Sequence, residues 1–164
     1  MKKSAVIRAP LLSNSGYGVH CRQIFKWLVS REDLDVSTQV VQWGMTSWMI
    51  NPNLENGLIG DIMSRTGVKS EERDFDISFQ VQLPDEWDCN LAKFNFGVSA
   101  VVETTVCNPS WIQNCYSMDH VIVPSEFGSA RLSLPPNVFL VNAFVLSAAF
   151  FAPSSTFLKK SSPL

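Results

Sequence analysis

The chain has 164 residues, of which 46% are hydrophobic and 17% charged, and its formal net charge is −2. This length suits about one domain with a core large enough to fold without disulfides. The basic residues are scattered singly, and the lack of a basic face argues against a nucleic-acid partner.

The cysteines and histidines also narrow the class of protein. They form no CxxC pair and no metal-ligand spacing, so we expect no metal and reduced thiols in the cytoplasm. The N-terminus is not expected to direct secretion, because its apolar run is broken at Arg8 and Pro10. The apolar residues 138–152 are shorter than the roughly 20 residues of a membrane span. The residues concerned are Cys21, Cys89, Cys107, Cys115, His20 and His120.

The first predicted elements are a strand, a loop and a helix. Residues 5–7 predict a short buried strand, and residues 9–18 predict the loop that follows it. A helix comes next, because one apolar stripe recurs at the i, i+3, i+4 and i+7 spacing while Arg22 lies on another face. Residues 35–41 are rich in β-branched side chains and predict a second strand. The stripe consists of Cys21, Ile24, Phe25 and Leu28.

Residues 42–56 show no clear period and predict a structured loop. Its Trp43 and Trp48 either pack in the core or line a cleft. A short helix is predicted to follow and to end before Gly67, and the polar residues 69–74 predict a solvated connection. The apolar residues of this helix are Leu58, Ile59, Ile62 and Met63.

The second half of the chain continues the alternation of strands and helices. Residues 77–83 alternate apolar and polar side chains, which predicts a strand. Residues 93–102 predict another strand, whose continuously apolar end suits the centre of a sheet. Asn108 and Pro109 are predicted to be the N-cap and first position of a helix, and residues 121–123 predict a buried strand.

Ser125 is predicted to cap a helix that begins at Glu126, and residues 137–141 predict the last strand. Strands that alternate with helices form parallel sheets covered on both faces. We therefore predict an α/β Rossmann-like three-layer sandwich with a mainly parallel sheet over residues 1–142. Residues 143–164 are predicted to be a divergent apolar segment and a frayed tail.

Ser15-Gly16-Tyr17-Gly18 stands between the first strand and the first helix. Glycines there let the backbone approach a ligand, and the N–H groups of the helix start attract anions, although a plain turn is an equal reading. The GxGxxG fingerprint of dinucleotide-binding proteins is absent, and Gln39 and Gln42 stand where an acid would hold a ribose. His20 could face a phosphate or the acceptor.

Acidic residues follow two of the predicted strands. Glu103 should emerge at the carboxyl edge of the sheet beside the glycine loop, where it could bind hydroxyl groups or cap the next turn. Asp85, Glu86 and Asp88 are expected at the same edge, and paired carboxylates there are a weak indication of glycoside hydrolysis. A serine hydrolase is not favoured, since the nucleophile-elbow sequence is absent. His120 is expected to be structural.

Three stretches resemble the N-terminal half of retaining, two-domain glycosyltransferases of the family-four type, which have the GT-B fold. The resemblance implies that this domain binds a glycan or other hydroxyl acceptor and offers its glycine loop to the sugar and phosphate of a nucleotide-sugar donor. It implies no metal and no further cofactor. The stretches are Ser15-Gly16-Tyr17-Gly18 with Arg22, Glu103-Thr104-Thr105 with Pro109 and Trp111, and residues 119–127.

The resemblance also assigns roles to single residues. Gly16, Tyr17 and Gly18 form the loop, Glu103 is the polar contact at the reacting sugar, and Ser125 with Glu126 marks the side of the interdomain hinge. Thr105 stands where the family often has an acid, and Ser15 where it often has a glycine.

The family's donor-binding domain, with its two glutamates eight positions apart, is missing from this sequence, and residues beyond Arg131 resemble the family poorly. We therefore expect a truncated glycosyltransferase, or one half of a split hexosyltransferase that is inactive without a separate donor-binding chain. The alternatives are a sugar- or nucleotide-binding module without catalysis and a nonfunctional fragment.

Overall fold

A computed structural model describes residues 2–67, 74–100, 108–123 and 138–140 of the chain. Its strands form one six-stranded sheet in which every pairing is parallel. The strands are β1 (Lys3–Ala9), β2 (Leu34–Val40), β3 (Phe75–Val81), β4 (Ala92–Val98), β5 (His120–Val123) and β6 (Val138–Leu140). The helices are α1 (Gly16–Val29), α2 (Leu58–Arg65) and α3 (Pro109–Ser117), with short 3-10 turns at Leu54–Gly57 and Pro84–Glu86.

The order of the strands places a crevice at the middle of the sheet. The order is β2-β1-β3-β4-β5-β6, so the chain leaves β1 in one direction to form β2 and returns in the other direction to form β3. Open α/β sheets bind ligands outside the carboxyl ends of the strands where the direction reverses. The carboxyl ends of β1 and β3 therefore mark the first place to look for a site.

Helices cover both faces of the sheet. Side chains alternate along a strand, so Ile122 and Val121 lie on opposite faces. Ile122 belongs to the core cluster that contains the buried residues of α1, whereas Val121 packs with Cys115 of α3. The predicted Rossmann-like α/β sandwich with a parallel sheet is thus confirmed for the described residues.

Helix α1 carries the predicted apolar stripe, but it begins at Gly16, so residues 16–18 of the predicted loop form its first turn. The Ser15 hydroxyl accepts a hydrogen bond from the Gly18 N–H at 3.1 Å, which caps the first turn. The predicted apolar stripe is buried against the sheet, and the Trp27 ring meets Phe79 of β3 edge-on, with ring centroids 6.0 Å apart. Helix α3 is also confirmed, because Asn108 Oδ1 accepts from the Ser110 N–H at 3.1 Å.

Helix α2 lies along the outer side of β2. The Thr38 hydroxyl donates to the Ile62 carbonyl at 3.0 Å, and Arg65 Nη1 donates to the Val36 carbonyl at 3.1 Å. An edge strand that keeps its backbone groups unpaired invites pairing with another chain. These two contacts use one backbone carbonyl of α2 and one of β2, and they fix the helix against the edge strand.

Two of the predicted strands differ from the structure in their detail. The polar positions of β3 were expected to alternate with a buried face, but Ser78 and Gln80 are fully buried as well. Both find partners inside the protein, since Ser78 Oγ donates to Asn95 Oδ1 at 2.7 Å and Gln80 Nε2 donates to the Asp88 carbonyl at 2.6 Å. Strand β4 ends at Val98 instead of continuing through residue 102.

Several predictions concern residues outside the described ranges. They include the connection at residues 69–73, Cys107, the helix predicted from Glu126, and the tail at residues 143–164. Within the ranges that the structure does describe, no helix is both long enough and apolar enough to cross a membrane.

Candidate functional site

The glycine loop lies at the carboxyl end of β1, beside the point where the strand order reverses. A Cβ atom built on Gly16 would have no atom within 4 Å. Among the described residues, no hydrogen-bond acceptor is present for the N–H groups of Gly16 and Tyr17. Exposed N–H groups at a helix start favour an anion. This part of the loop can therefore be approached by a phosphate or carboxylate.

Gly18 has a different role in the same loop. A Cβ atom at this position would lie 2.1 Å from the Ser13 carbonyl oxygen and 3.0 Å from Arg22 Nη1. Gly18 is buried, and its small size lets the start of α1 pack against the Ser13 carbonyl of the loop that follows β1. The sequence grouped Gly16 and Gly18 together, but the structure separates an open glycine from a packed one.

Tyr17 contacts three different segments at the carboxyl edge of the sheet, those that follow β2, β3 and β4. Its ring stacks on Trp43, with centroids 4.2 Å apart and planes 11° from parallel. Its hydroxyl donates to the Gln82 carbonyl at 3.5 Å and accepts from the Ala100 N–H at 3.3 Å. Burial raises the pKa of the Tyr17 phenol, and the nearby Ser99 hydroxyl and Ala100 N–H lower it in part, so the hydroxyl stays neutral at physiological pH.

The contact between Tyr17 and Ala100 also explains the early end of β4. The Ser99 N–H still donates to the Ile122 carbonyl at 3.1 Å, but the next N–H, that of Ala100, turns to the Tyr17 hydroxyl. Trp43 is half-buried in its stack, whereas Trp48 is 44% exposed and does not join the core. Of the two tryptophans in this loop, only Trp43 lies against the glycine loop in the described structure.

Arg22 binds the loop that leads from β1 to α1. The sequence placed it off the apolar stripe, yet its side chain is 3% exposed. Its Nη1 donates to the carbonyls of Leu11 and Ser13, each at 3.0 Å, and its Nε donates to Glu55 Oε1 at 2.7 Å. Glu55 has a left-handed backbone with φ of 49°, and that conformation belongs to the turn that presents its carboxylate.

A cluster of hydroxyls lies beside this guanidinium. Ser13 Oγ is 2.8 Å from Ser15 Oγ and 2.7 Å from Thr46 Oγ1. Two backbone bonds also join the loops, because the Asn14 N–H donates to the Ser47 carbonyl and the Met49 N–H to the Leu12 carbonyl. Sequence reasoning missed this cluster, since partners more than 30 positions apart leave no local pattern.

His20 lies one turn into α1 and is half-buried. Burial lowers the pKa of its imidazole below the ordinary value of 6.5, because the charged form is poorly solvated there. Cys21, on the buried face of the same helix, has its thiol pKa raised to about 12 by burial, so that thiol is not a nucleophile at neutral pH. No described contact joins His20 to the N–H groups of the loop.

The lowered pKa of His20 predicts how stability depends on pH. The unfolded chain takes up a proton at His20 near pH 6.5 while the folded chain stays neutral, so stability is full above that pH and declines as the pH falls towards the folded value. We expect His20→Gln to lose less stability than the unchanged protein between pH 7.5 and 5.5. Urea unfolding at the two pH values measures this. Equal losses in the two proteins would contradict it.

The acidic residues after β3 do not form a catalytic pair. Glu86 Oε2 accepts from the Leu83 N–H at 3.1 Å, and Asp88 Oδ1 accepts from the Asn90 N–H at 2.9 Å. Asp88 was predicted at the carboxyl edge, which is wrong. It lines a shallow pocket of about 410 Å³ with Phe75, at the amino ends of β3 and β4.

Asp88 lies away from the carboxyl edge because β3 and β4 are parallel, so the chain that leaves the carboxyl end of β3 must return to the amino end of β4. The buried side chain of Gln80 binds this returning connection. Both ends of its amide bind the backbone of Asp88, with Oε1 accepting from the Asp88 N–H at 2.8 Å. Gln80 therefore holds the returning connection against the face of the sheet. Glu86 and Asp85 stay near that edge and are exposed.

Glu103, Ser125 and Glu126 lie outside the described residues. His120 packs against the rings of Phe94 and Phe96, with centroids 5.1 and 5.2 Å away, which agrees with a structural role. Across the described part of the chain, no group of three His, Cys, Asp or Glu side chains could hold a metal ion.

The chain was compared with known proteins in three ways. A scan against models of protein families found no match, and searches among curated proteins and among solved structures found none either.

Proposed function

We propose that this chain is the acceptor-side half of a retaining glycosyltransferase that takes a nucleotide sugar as donor. The observation that carries the proposal is the open Gly16 at the carboxyl end of β1, where two N–H groups lack an acceptor among the described residues. This position beside the reversal of strand order is where α/β domains bind phosphorylated ligands.

The chemistry of transfer gives these N–H groups a function. A nucleotide sugar releases a diphosphate, and the negative charge that develops on it is stabilised by fixed donors placed around it. In the proposal, the glycine loop supplies donors from one side of a cleft, and a donor-binding chain supplies them from the other. Glu103, which follows β4 in the sequence, contacts the reacting sugar.

The proposal also specifies the acceptor, the absence of a metal requirement and the cellular location of the enzyme. The acceptor is a glycan or another molecule with a free hydroxyl group, the reaction needs no metal, and the chain works in the cytoplasm. Alone it transfers little or no sugar, because half of the donors around the diphosphate are contributed by the partner. Transfer of labelled sugar by the purified chain at ordinary enzymatic rates would contradict that part.

Blocking the open glycine tests the anion site. We expect Gly16→Val to weaken binding of UDP-glucose or GDP-mannose at least tenfold, because the valine side chain fills the space over the two N–H groups. The melting temperature should change little, since nothing lies within 4 Å of the new Cβ. The measurement is a titration of each nucleotide sugar followed by NMR of the full chain.

The matched control is Gln23→Val, which places the same side chain on an exposed position of α1. It should bind both nucleotide sugars as the unchanged protein does. If Gly16→Val binds them equally well, or if the unchanged protein binds neither, the anion site is wrong. Binding that never leads to transfer with any donor-binding partner would favour a non-catalytic binding module.

A further inference from the structure

Four side-chain rings form a continuous surface on one face of β3, β4 and β5. Phe79 pairs with Phe96, and Phe96 pairs with His120, so these three lie side by side across the strands. Phe94 precedes Phe96 by two positions and lies on the same face. The centroids of neighbouring rings are 4.8 to 5.3 Å apart. We call this surface, made of Phe79, Phe94, Phe96 and His120, the aromatic face.

Helix α1 covers only the inner part of the aromatic face. Its Trp27 ring contacts Phe79, which in turn stacks on Phe96, and Phe96 contacts Phe94. Phe79 is 7% exposed, Phe96 is half-buried and Phe94 is 38% exposed. Exposure therefore rises with each step away from the Trp27 ring. A contiguous apolar surface that stays open in this way marks a place where another surface packs.

The direction of the crossovers explains why the cover is incomplete. Right-handed connections that move in opposite directions along a parallel sheet lie on opposite faces. The connection from β1 to β2, which contains α1, moves towards one edge, whereas those from β3 to β4 and from β4 to β5 move towards the other. The structure agrees, since Gln80 binds the Asp88 backbone and Val121 packs with α3 on the face opposite α1. These two connections therefore cannot cover the aromatic face.

The segment that follows β6 has the composition to cover this face. In residues 143–152, Ser147 is the only polar side chain and three residues are phenylalanines. Transfer of such a segment from water onto an apolar surface is favourable. Because the segment is attached to the sheet, its effective concentration at the face is on the order of millimolar, which a second chain in dilute solution does not reach.

The segment is also long enough. Strand β6 is two strands from β4, which is about 10 Å across the sheet. Leu140, the last residue of β6, is level with Ser99, so Phe94 lies about 17 Å back along β4. Residues 141–152 can span up to about 40 Å when extended. They can therefore cross from the end of β6 to the exposed Phe94 ring.

We infer that residues 143–152 pack on the aromatic face and complete the core on the side of α1. The exposed ring of Phe94 and the apolar segment then leave water together. The inference goes beyond the proposed function and does not depend on it, because it uses no residue of the glycine loop. It makes the sheet and the segment after it one folding unit.

The first test is NMR of the full chain, with half of the molecules labelled with ¹³C and half unlabelled. We expect NOEs between residues 143–152 and the rings of Phe94 and Phe96 within the labelled chains. NOEs that connect only labelled with unlabelled chains would show that a second copy covers the face. The absence of both kinds would show that the segment does not bind there. Either of these results overturns the inference.

A double-mutant cycle is the second test, with Phe94→Ala as one change and Phe150→Ala combined with Phe151→Ala as the other. Each change should lower the urea midpoint of the full chain. Together they should lower it by no more than about two thirds of the sum, because groups in contact are not independent.

Tyr116→Ala is the matched control for Phe94→Ala, since Tyr116 is an exposed aromatic residue of α3 on the opposite face. Its loss should add to that of the combined Phe150→Ala and Phe151→Ala change. Additive losses for Phe94→Ala as well would show that the segment does not contact the aromatic face. The NMR experiment needs no substitution, so it decides the question even if a variant fails to fold.

Discussion

Gly18→Ala should lower the free energy of unfolding by about 3 kcal/mol, the upper range for adding a methyl group to a packed site. The new Cβ would lie 2.1 Å from the Ser13 carbonyl oxygen, and a backbone atom cannot move away as a flexible side chain can. The start of α1 must then shift away from the loop that follows β1. Urea unfolding followed by circular dichroism measures the change.

Gly16→Ala is the control for this substitution, because it adds the same methyl group two positions away in open space. We expect it to change the free energy of unfolding by less than about 1 kcal/mol, the scale of the difference between glycine and alanine in a helix. If the two variants have the same stability, the close packing at Gly18 is wrong.

Arg22→Met should lower the free energy of unfolding by about 3 kcal/mol, in the range measured when one partner of a buried charge pair is removed. Methionine fills much of the volume but leaves the carbonyls of Leu11 and Ser13 without their donor. The Glu55 carboxylate loses its bond from Arg22, while Lys26 Nζ remains 3.9 Å away. The loss should be smaller than for a fully buried pair, because the Glu55 side chain is 29% exposed and water can reach it.

A second arginine pair in the chain supplies the comparison. Arg31 donates from Nε and Nη2 to the two carboxylate oxygens of Asp33, each at 3.0 Å, but this pair is exposed. Arg31→Met should therefore cost less than about 1 kcal/mol. Equal losses for Arg22→Met and Arg31→Met, measured by urea unfolding, would show that burial of the Arg22 guanidinium adds nothing to stability.

The sequence was most informative where a structure depends on near neighbours. The stripe of α1 and the Asn108 cap are set by residues within one or two turns, and both are confirmed. The parallel sheet also followed from the alternation of elements, because strands joined by helices have few other ways to bury their faces. Fold class was therefore predictable without comparison to any other protein.

The candidate site was less predictable because its parts come from distant segments. Arg22 looked like a surface charge, since nothing near it in sequence indicates that Leu11, Ser13 and Glu55 supply its partners. The burial of Gln80 was not predicted either, because its partner is the backbone of Asp88, eight positions further along the chain. Periodicity identifies apolar faces, but it carries no information about which polar groups meet.

The glycine loop was found from sequence, but the separate roles of its glycines were not. Both residues permit the same backbone, and only the three-dimensional surroundings show that Gly18 meets the Ser13 carbonyl while Gly16 meets nothing. A local glycine motif therefore predicts only that the backbone lies close to another group. Whether that neighbour is a ligand or the protein itself depends on the fold.

The strand order has a consequence for synthesis on the ribosome. Strand β1 lies between β2 and β3, and the contact of Ser4 with Asp76 joins residues 72 positions apart in the chain. A nascent chain that has exposed β1 and β2 still lacks β3, so one side of an apolar strand stays open until residue 81, close to the middle of the 164-residue sequence, has emerged. Long-range parallel pairing of this kind is slow, and unfinished edges promote aggregation. We therefore expect a chaperone to bind the open side of β1 during translation.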